Sequence, residues 1–435
     1  MAVPPLTLPQ EEAARHPRAE PALLWIAAAF IVVNALGLSL GRGQFAIADW
    51  VHVAAWIACA VVGSRAIRAK LPTHDPLLFP LAMFMSGWGL IMIERLAPPF
   101  AERQALWLVV STAALIAVVY VPRALYLLRA YRYTLLVIGL VLLVATILLG
   151  TNPSGQAGAP ELWLGVGSLF FQPSEALKVI LVAFLASYLA EQYPALRTQG
   201  FGVEQRRMYL SPRLFGPILL MWGLSVVILV WQRDLGTAIL FFIVFLILLY
   251  IASGYTPLLI SGALLVVAAG VVAYRLFDVV QLRVDIWIDP WADAGGRSYQ
   301  IVQSLMAFAS GGIFGQGIGQ GAPVFVPVVH SDFVIAALAE EWGLLGIVSA
   351  IACITTFVVR GLRIAIFQNT RPFHALLAVG LSILLGVQSL MIMGGVLKLI
   401  PLTGVTLPYF SYGGSSLLVN FIMVGLLLRL SSGEN

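Results

Sequence analysis

Charged side chains are scarce in this sequence. Asp, Glu, Lys and Arg make up 10% of the 435 residues, against 60% hydrophobic residues, and the mean hydropathy is +0.95. Soluble domains of this size do not have such a composition, whereas polytopic membrane proteins do. The 25 basic residues only slightly outnumber the 20 acidic ones and form no basic run or face. This distribution argues against nucleic-acid binding and fits loop charges that orient transmembrane helices.

Cysteine and clustered histidine are also rare. Cys59 and Cys353 lie in apolar runs, so we expect two free buried thiols rather than a disulfide or a metal site. The five histidines are scattered, without the spacing of a zinc site. Residues 1–20 are polar and precede an apolar run long enough to span a membrane. We therefore expect no cleavable signal peptide.

Long apolar runs dominate the rest of the chain. A run of about 20 residues forms a helix of about 30 Å, which crosses the hydrocarbon core of a bilayer. Lys and Arg concentrate in every second loop, which by the positive-inside rule places these loops and both termini in the cytoplasm. The apolar runs predict twelve transmembrane helices, near residues 22–40, 45–63, 76–94, 104–121, 132–150, 175–191, 213–232, 235–253, 257–276, 332–358, 373–397 and 411–430.

Five polar clusters fall on the outer side of this predicted topology. Separate loops with polar residues at one membrane face favour a single site there, although the clusters also mark where helices leave the membrane. The clusters are Glu94-Arg95, Gln172-Pro173-Ser174-Glu175, Gln232-Arg233-Asp234, His330-Ser331-Asp332 and Ser411-Tyr412-Gly413-Gly414.

Asp332 is the most informative of these residues. It lies where a polar loop, residues 277–331, meets a long apolar helix. A carboxylate at the mouth of a membrane helix is costly to desolvate, so it needs a partner, a wet cavity or a chemical role. Glu340 and Glu341 follow on the same helix and must face protein or water. They hold helix contacts, bind a cation or relay protons, and the sequence does not choose between these roles.

The large loop before Asp332 contains two further patterns. Gln300, Gln303 and Ser304 recur at i, i+3 and i+4, which predicts a short amphipathic helix that lies on the membrane surface or packs on the bundle. A glycine-rich stretch over 311–321 predicts either a flexible loop or a loop whose amides meet a phosphate. Flexibility is the simpler interpretation.

Two predicted helix starts carry polar residues. The last helix begins with Ser411 to Ser416, where free amides and the positive dipole end suit an anion such as a pyrophosphate. N-capping by serine explains the same residues without a ligand. Glu175 and Lys178 are spaced i, i+3 on one helix and are expected to pair. A carboxylate base beside an anion-binding helix end suits attack by a sugar hydroxyl and departure of a lipid pyrophosphate.

Five segments occur in an order that resembles the shape, elongation, division and sporulation (SEDS) family, whose members include RodA, FtsW and SpoVE. The resemblance implies an all-α polytopic integral membrane protein with a ten-helix core at 74–430 and a large extracytoplasmic loop at 277–331. Residues 1–73 would add a cytoplasmic N-terminus and two helices, and 431–435 a short cytoplasmic tail. The segments are Arg95-Leu96 with Gln104 and Trp107; Phe171 to Glu175 with Lys178; Asp234 to Thr237; Tyr299 to Gly343; and Pro401 to Ser416.

The resemblance implies an inverting peptidoglycan glycosyltransferase that polymerises lipid II at the outer face of the bacterial cytoplasmic membrane. Asp332 corresponds to the family's catalytic aspartate, which deprotonates the acceptor hydroxyl. The implied partner is a class B penicillin-binding protein transpeptidase, and the implied cofactor is a divalent cation, Mg²⁺ or Mn²⁺, without assigned ligands. Elongation, division and sporulation remain equally open as roles.

The matched motifs also imply two sets of supporting residues. The substrate-binding candidates are Gln172, Ser174, Glu175, Lys178, Asp234, Gln300, Gln303, Ser304, His330, Ser331, Ser411, Tyr412, Gly413, Gly414, Ser415 and Ser416. The auxiliary candidates are Arg95, Gln104, Arg233, Glu340, Glu341 and Lys398.

Four positions depart from the family pattern. Leu162 replaces an arginine, Arg233 a proline, Ile392 an asparagine and Lys398 a glycine. One hypothesis is that Arg233 or Lys398 restores the lost positive charge near a pyrophosphate. The departures also leave room for two alternatives, a flippase for a lipid-linked oligosaccharide and a non-catalytic scaffold for the transpeptidase.

Overall fold

The computed structural model describes residues 19–43, 47–152, 161–166, 169–198 and 234–433, with 216, 220, 223–224, 226–228 and 230–232. Most of this part of the chain is helical, as the long apolar runs predict. The helices are α1 (Ala19–Arg42), α2 (Ile47–Lys70), α3 (Leu78–Leu96), α4 (Pro98–Tyr120), α5 (Ala124–Ala130), α6 (Arg132–Leu149), α7 (Pro173–Thr198), α8 (Leu235–Ser253), α9 (Thr256–Leu276), α10 (Asp278–Ile288), α11 (Tyr299–Gly311), α12 (Val334–Phe367), α13 (Pro372–Val396) and α14 (Gly414–Ser432).

Ten of the described helices are long and apolar enough to cross a membrane, so the protein is a multi-pass membrane protein. Two other predicted spans are 76–94 and 213–232. The first is present as α3, a buried helix with Glu94 and Arg95 near its C-terminal end. Half of the positions of the second lie outside the described residues, and the described ones are helical. The total of twelve therefore stays a prediction.

The chain divides into two compact units. The first unit contains residues 1–126, 290–367 and 406–435, and the second contains 127–289 and 368–405. In the first unit α3 packs against α1, α2, α4, α12 and α14, whereas in the second α7 packs against α6, α8 and α13. The described residues of the second unit also include a short antiparallel hairpin of β1 (Leu164–Val166) and β2 (Leu169–Phe171), which leads into α7.

Close backbone approach explains why α3 is central to the first unit. A side chain at Gly89 would collide with the carbonyl oxygens of Tyr409 and Phe410, and one at Gly87 would collide with Trp56. The Trp56 indole donates to the Met83 carbonyl at 2.8 Å. Small residues at helix contacts let membrane helices pack tightly where no hydrophobic force drives association.

Helix α12 is broken near its start. Gly343 has φ 64° and ψ −160°, which interrupts the helix nine residues after it begins. The break separates a short segment, residues 334–342, from a long one, residues 344–367. We call the short one the outer segment, because it adjoins the loop that the sequence predicts to lie outside. The helix also ends nine residues beyond its predicted end of 358, so Arg360 is a buried residue of the helix rather than a loop charge.

The glycine-rich stretch compensates for this break. The backbone amides of Gln316 and Gly317 donate to the carbonyls of Glu340 and Glu341 at 2.8 and 3.0 Å. In return, Leu344 and Leu345 donate to the carbonyls of Gly312 and Ile313 at 2.9 and 3.2 Å. Irregular backbone at membrane depth requires such partners within the protein. We call residues 311–321 the glycine loop.

Candidate active site

Asp332 lies at the junction between the large loop and α12 in the first unit. Its side chain is partly exposed, and its Oδ1 atom accepts a hydrogen bond from the Ser331 hydroxyl at 2.8 Å. The Ser411 hydroxyl donates to the Ser331 carbonyl at 2.6 Å and accepts from the Leu407 amide at 2.9 Å. These bonds bring together two predicted clusters, His330-Ser331-Asp332 and Ser411-Tyr412-Gly413-Gly414, at one location.

Aromatic side chains form one wall beside Asp332. Phe100 stacks on Tyr412 with ring centroids 4.7 Å apart and lies 5.1 Å from His330. The Tyr412 amide also donates to the His330 carbonyl at 2.8 Å. Burial lowers the pKa of His330 below 6.5, so the imidazole is neutral at pH 7.

Arg103 contributes a positive charge to the same wall. Its side chain is exposed, and its positive charge acts on the Tyr412 hydroxyl. Burial raises the pKa of Tyr412, and the charge of Arg103 opposes this shift. Sequence reasoning missed both Phe100 and Arg103. The one available signal was their position in the first turns of α4, next to the matched residue Gln104.

The N-terminus of α14 also faces this region. Helix α14 begins at Gly414, and among the described residues no side chain caps it, so serine N-capping does not account for the Ser411–Ser416 sequence. The Gly413 amide donates to the buried Gln104 side chain at 3.4 Å. A side chain at Gly414 would collide with Trp107. Close packing thus fixes the helix start, while the positive end of its dipole favours an anion.

Ser415 and Ser416 are buried. The Ser416 hydroxyl accepts from the Thr406 hydroxyl at 3.0 Å and from the side-chain amide of Asn420 at 3.4 Å. These bonds hold Ser416 in the packed interior of the first unit. Among the described residues, no hydrogen bond of Ser416 points toward Asp332.

The amphipathic pattern of the outer loop forms α11, which packs against α12. Gln300 donates to the Pro327 carbonyl at 2.7 Å and Gln303 is partly exposed, but Ser304 is fully buried. The helix therefore lies on the bundle, which was one of the two predicted positions. Ile301 and Val302 provide the buried apolar contacts.

Arg95, Glu340 and Glu341 hold the glycine loop against α12. Arg95 donates to Glu341 at 3.1 Å and to the carbonyls of Gly319 and Gly321 at 3.3 and 3.0 Å. Glu340 accepts from the Ala322 amide at 2.8 Å. Of the roles left open by the sequence, helix and loop contacts are the ones for which the structure shows bonds.

The second unit contains another polar group of predicted residues. Lys178 donates to Glu175 at 2.7 Å and to Gln388 at 3.0 Å, and all three side chains are buried. Buried Ser174 precedes Glu175 in the first turn of α7, and the Gln172 carbonyl accepts from the Glu175 amide at 3.1 Å.

Asp234 caps α8 in the same unit. Its carboxylate accepts from the Thr237 amide at 3.0 Å and the Thr237 hydroxyl at 2.6 Å. Burial raises the pKa of Asp234, and the bonds with Thr237 and the charge of Lys178 oppose the shift. The Asp-Leu-Gly-Thr motif thus has a local structural explanation as an N-cap.

Two of the four departing positions bear on the charge hypothesis. Lys398 has φ 60°, a conformation that favours glycine, and its amine donates to the Ile288 carbonyl at 3.2 Å. Lys398 therefore lies against the C-terminal end of α10. Arg233 lies outside the described residues.

A metal site is not formed by the described residues. No three His, Cys, Asp or Glu side chains among them gather closely enough to hold an ion. The cation implied by the resemblance stays a hypothesis.

Fold and site together define a multi-pass membrane protein with a partly exposed polar region. This region contains the Asp332 carboxylate, the Arg103 guanidinium and the N-terminus of α14. The family model of FtsW, RodA and SpoVE cell cycle proteins matches residues 66–435. The chain belongs to this family.

Curated relatives and solved structures agree with this assignment. The chain is 40% identical to peptidoglycan glycosyltransferase RodA of Mycobacterium tuberculosis over 85% of this chain and 80% of that protein. It is 30% identical to a probable peptidoglycan glycosyltransferase FtsW of Pseudoalteromonas atlantica, over 84% and 74%. A peptidoglycan synthase complex studied for coordination of polymerization and crosslinking contains a chain with TM-score 0.67 and 25% identity, over 83% and 98%. RodA of Thermus thermophilus gives a TM-score of 0.58 at 24% identity, over 83% and 97%, which supports the fold alone.

Proposed function

We propose that this protein is an inverting peptidoglycan glycosyltransferase that polymerises lipid II at the outer face of the bacterial cytoplasmic membrane. The observation that carries the proposal is the position of Asp332 in a chain of the FtsW, RodA and SpoVE family. Asp332 is partly exposed, and Ser331 and Ser411 connect it by hydrogen bonds to the segment just before α14. The catalytic core corresponds to residues 74–430, with both termini in the cytoplasm.

Asp332 acts as the general base in this proposal. Its carboxylate takes the proton of the acceptor 4-hydroxyl, and the resulting oxygen attacks the anomeric carbon of the donor sugar from the face opposite the pyrophosphate. The bond between that carbon and the phosphate oxygen breaks, and the lipid pyrophosphate leaves with the electron pair. Attack from the opposite face inverts the configuration at the sugar. General base catalysis of this kind contributes roughly 10²–10⁴ in rate.

The leaving pyrophosphate gains negative charge as the bond breaks. The amides at the start of α14 and the Arg103 guanidinium supply fixed positive charge for it, and donors that are already oriented need no reorganisation during the reaction. Phe100, His330 and Tyr412 shield one side of this region from water, which strengthens the electrostatic interactions inside it. The His330 imidazole is neutral, so it adds no positive charge that would compete with the acceptor proton for the Asp332 carboxylate.

The partner in this proposal is a class B penicillin-binding protein. The support is the likeness to a chain of a synthase complex whose study concerns both polymerization and crosslinking. A polymerase that releases glycan strands at the outer membrane face needs a transpeptidase to link them, so the two activities belong at one location.

The decisive experiment supplies lipid II to the purified protein, with and without its transpeptidase partner, and measures glycan strands. We expect wild type to form polymer and Asp332→Asn to lose at least about 10² of the rate, because the amide cannot accept the proton. Glu102→Gln is the matched control, since it makes the same change from acid to amide at an exposed side chain of α4, and we expect it to keep the wild-type rate. Polymer formed equally by wild type and Asp332→Asn would exclude Asp332 as the base. Lipid II that crosses vesicle bilayers without forming polymer would instead support the flippase.

A labelling experiment tests the membrane face. Cysteine at position 332, in a protein with Cys59 and Cys353 replaced, should react with an impermeant maleimide in intact cells whose outer envelope is permeabilised. Cysteine at 435 should react only after the cytoplasmic membrane is opened. Labelling of position 332 only from the cytoplasm contradicts the proposal.

A further inference from the structure

Helix α1 precedes the part of the chain that matches the family, which begins at residue 66. It is nonetheless attached firmly to the first unit near both of its ends. Near its C-terminus, Arg42 pairs with Glu94 of α3 at 3.2 Å and donates to the Glu94 carbonyl at 3.1 Å. Near its N-terminus, buried Glu20 pairs with His74 at 2.7 Å. Two such attachments fix the position of α1 along α3.

The small residues of α1 suggest a different use when taken from the sequence. Gly37 and Gly41 have the small-xxx-small spacing that often joins transmembrane helices. In the structure they face the glycine loop instead. A methyl group at Gly37 would lie 4.0 Å from the Ile318 side chain, and one at Gly41 would lie 3.8 Å from the side-chain nitrogen of Gln320.

Leu38 completes this contact. Its side chain is buried, with 3% exposure, and its Cδ2 atom lies 3.4 Å from the position that a Cβ of Gly319 would occupy. Gly319 has φ 73°, so the loop turns sharply where it meets α1. One side of the glycine loop is therefore covered by Gly37, Leu38 and Gly41.

The opposite side of the glycine loop is bonded to the outer segment of α12. Gln316 and Gly317 donate to the carbonyls of Glu340 and Glu341, and the Glu340 carboxylate accepts from Ala322. This outer segment begins two residues after Asp332 and is only nine residues long. The glycine loop thus lies between α1 and the segment that directly follows Asp332.

We propose that α1 is a positioning element of the active site. It holds the glycine loop against the outer segment of α12, and through that segment it fixes the direction of the Asp332 carboxylate. Leu38 is the principal positioning residue, and it touches neither substrate nor Asp332. The proposal rests on the proposed role of Asp332 as the general base.

Leu38 and Leu40 provide a matched pair for the test. Leu38→Ala removes the contact with Gly319, whereas Leu40→Ala makes the same chemical change at a side chain that is 66% exposed. Hydrogen exchange of the full-length protein in nanodiscs reports the bonds of the glycine loop, because amides exchange when local structure opens. We expect amides 316, 317, 344 and 345 to exchange about tenfold faster in Leu38→Ala and at the wild-type rate in Leu40→Ala.

Polymerisation kinetics of the same variants add the functional measurement. We expect Leu38→Ala to lower kcat about tenfold with KM for lipid II unchanged, because a misdirected base affects the reaction more than ground-state binding. Leu40→Ala should leave both constants unchanged. Equal exchange and equal kcat in the two variants would overturn the proposal.

A second variant covers the case in which Leu38→Ala fails to fold. Gly41 is exposed, so Gly41→Leu adds bulk against Gln320 without opening a cavity. It should also speed the exchange of the glycine loop and lower kcat. Loss of self-association of the protein in Gly41→Leu, with unaltered loop exchange, would show that the two glycines join helices of different copies, and it would overturn the proposal. The exchange measurement stays informative even if Asp332→Asn proves active, so failure of the proposed base and failure of this proposal are distinguishable.

Discussion

Arg103 shows what a single residue adds to the candidate site. It is an exposed cation whose charge acts on Tyr412, two residues before the start of α14. Apart from its position next to Gln104, no sequence pattern distinguished it from the other arginines of the predicted outer loops. A guanidinium presents paired donors that match phosphate oxygens better than a lysine amine does.

We therefore predict that Arg103→Gln lowers kcat/KM for polymerisation by about 10- to 100-fold, the value of one charged hydrogen bond of about 1.5–3 kcal/mol. Arg103→Lys should recover part of the loss. Glu102→Gln is the control, because Glu102 is an exposed neighbour on the same helix. A wild-type rate for Arg103→Gln in a lipid II polymerisation assay would rule out a role for this charge.

His330 makes the aromatic wall sensitive to acid. Burial lowers the pKa of His330 in the folded protein relative to an unfolded value of about 6.5. The unfolded state therefore binds the proton more readily, and the contribution of His330 to stability falls as the pH drops below about 6.5.

We predict that His330→Gln reduces the loss of thermal stability between pH 7.5 and 5.5. The measurement is the unfolding midpoint of the detergent-solubilised protein at both pH values. An identical loss in wild type and His330→Gln would show that the imidazole does not cause the sensitivity.

At the scale of an element, the glycine loop and the broken start of α12 form one structure. The sequence predicted a bendable loop, because glycine-rich composition alone does not distinguish mobility from close contact. The structure shows close contact: a side chain at Gly311 would collide with the Ala339 carbonyl, and one at Gly315 would collide with the Glu341 carbonyl. Helix bounds and polar clusters follow from local sequence patterns, whereas this pairing depends on residues about 25 positions apart.

Replacing such a glycine has two costs, the strain of a positive φ and the collision of the new Cβ with a neighbouring atom. Gly315 and Gly317 allow the two costs to be measured separately. Both have positive φ values, 80° and 96°, but a Cβ would lie 2.2 Å from a carbonyl oxygen at Gly315 and 3.6 Å from the nearest atom at Gly317. We predict that Gly317→Ala costs about 1–2 kcal/mol of unfolding free energy and that Gly315→Ala costs clearly more. Chemical denaturation in mixed micelles measures both, and equal costs would mean that the close contact carries no energy.

At the scale of the whole molecule, a buried ion pair joins distant parts of the first unit. Arg360 of α12 contacts Asp75, in the turn before α3, at 2.6 Å, and the Asp75 amide donates to Ser431 of α14 at 2.9 Å. The positive-inside pattern assigned Arg360 to a loop. Charge counts cannot show that an arginine is paired within a helix, because its partner lies 285 residues away.

We predict that Asp75→Asn destabilises the protein by about 3–5 kcal/mol, because it leaves a buried guanidinium without its counter-charge. The double replacement Asp75→Leu with Arg360→Met should recover most of this loss. Glu191→Gln is the comparison, since the pair of Arg132 and Glu191 is partly exposed and such pairs contribute at most about 1 kcal/mol. A loss that is equally large for the double replacement would show that packing, not charge, is responsible.

The fold class, the family and the clustering of residues around Asp332 and Ser411 follow from the sequence. The functional roles of motif residues do not follow from the sequence in the same way. The helical cap at Asp234 and the buried pair of Lys178 and Glu175 show why. A short motif identifies a relative, but the same residues satisfy helix ends and internal charges. Residue roles in the second unit therefore stay predictions.

The alternating bonds between the glycine loop and α12 also constrain how this protein can diverge. Gln316 and Gly317 face the freed carbonyls of α12, while Gly312 and Ile313 supply acceptors to the residues beyond the break. One inserted or deleted residue between 313 and 316 would move one of these two sets of partners out of register with the other and leave backbone groups without their hydrogen bonds. Homologues should therefore keep a constant number of residues across this interval, and length variation of the outer loop should be confined to exposed turns such as Gly295 and Gly296.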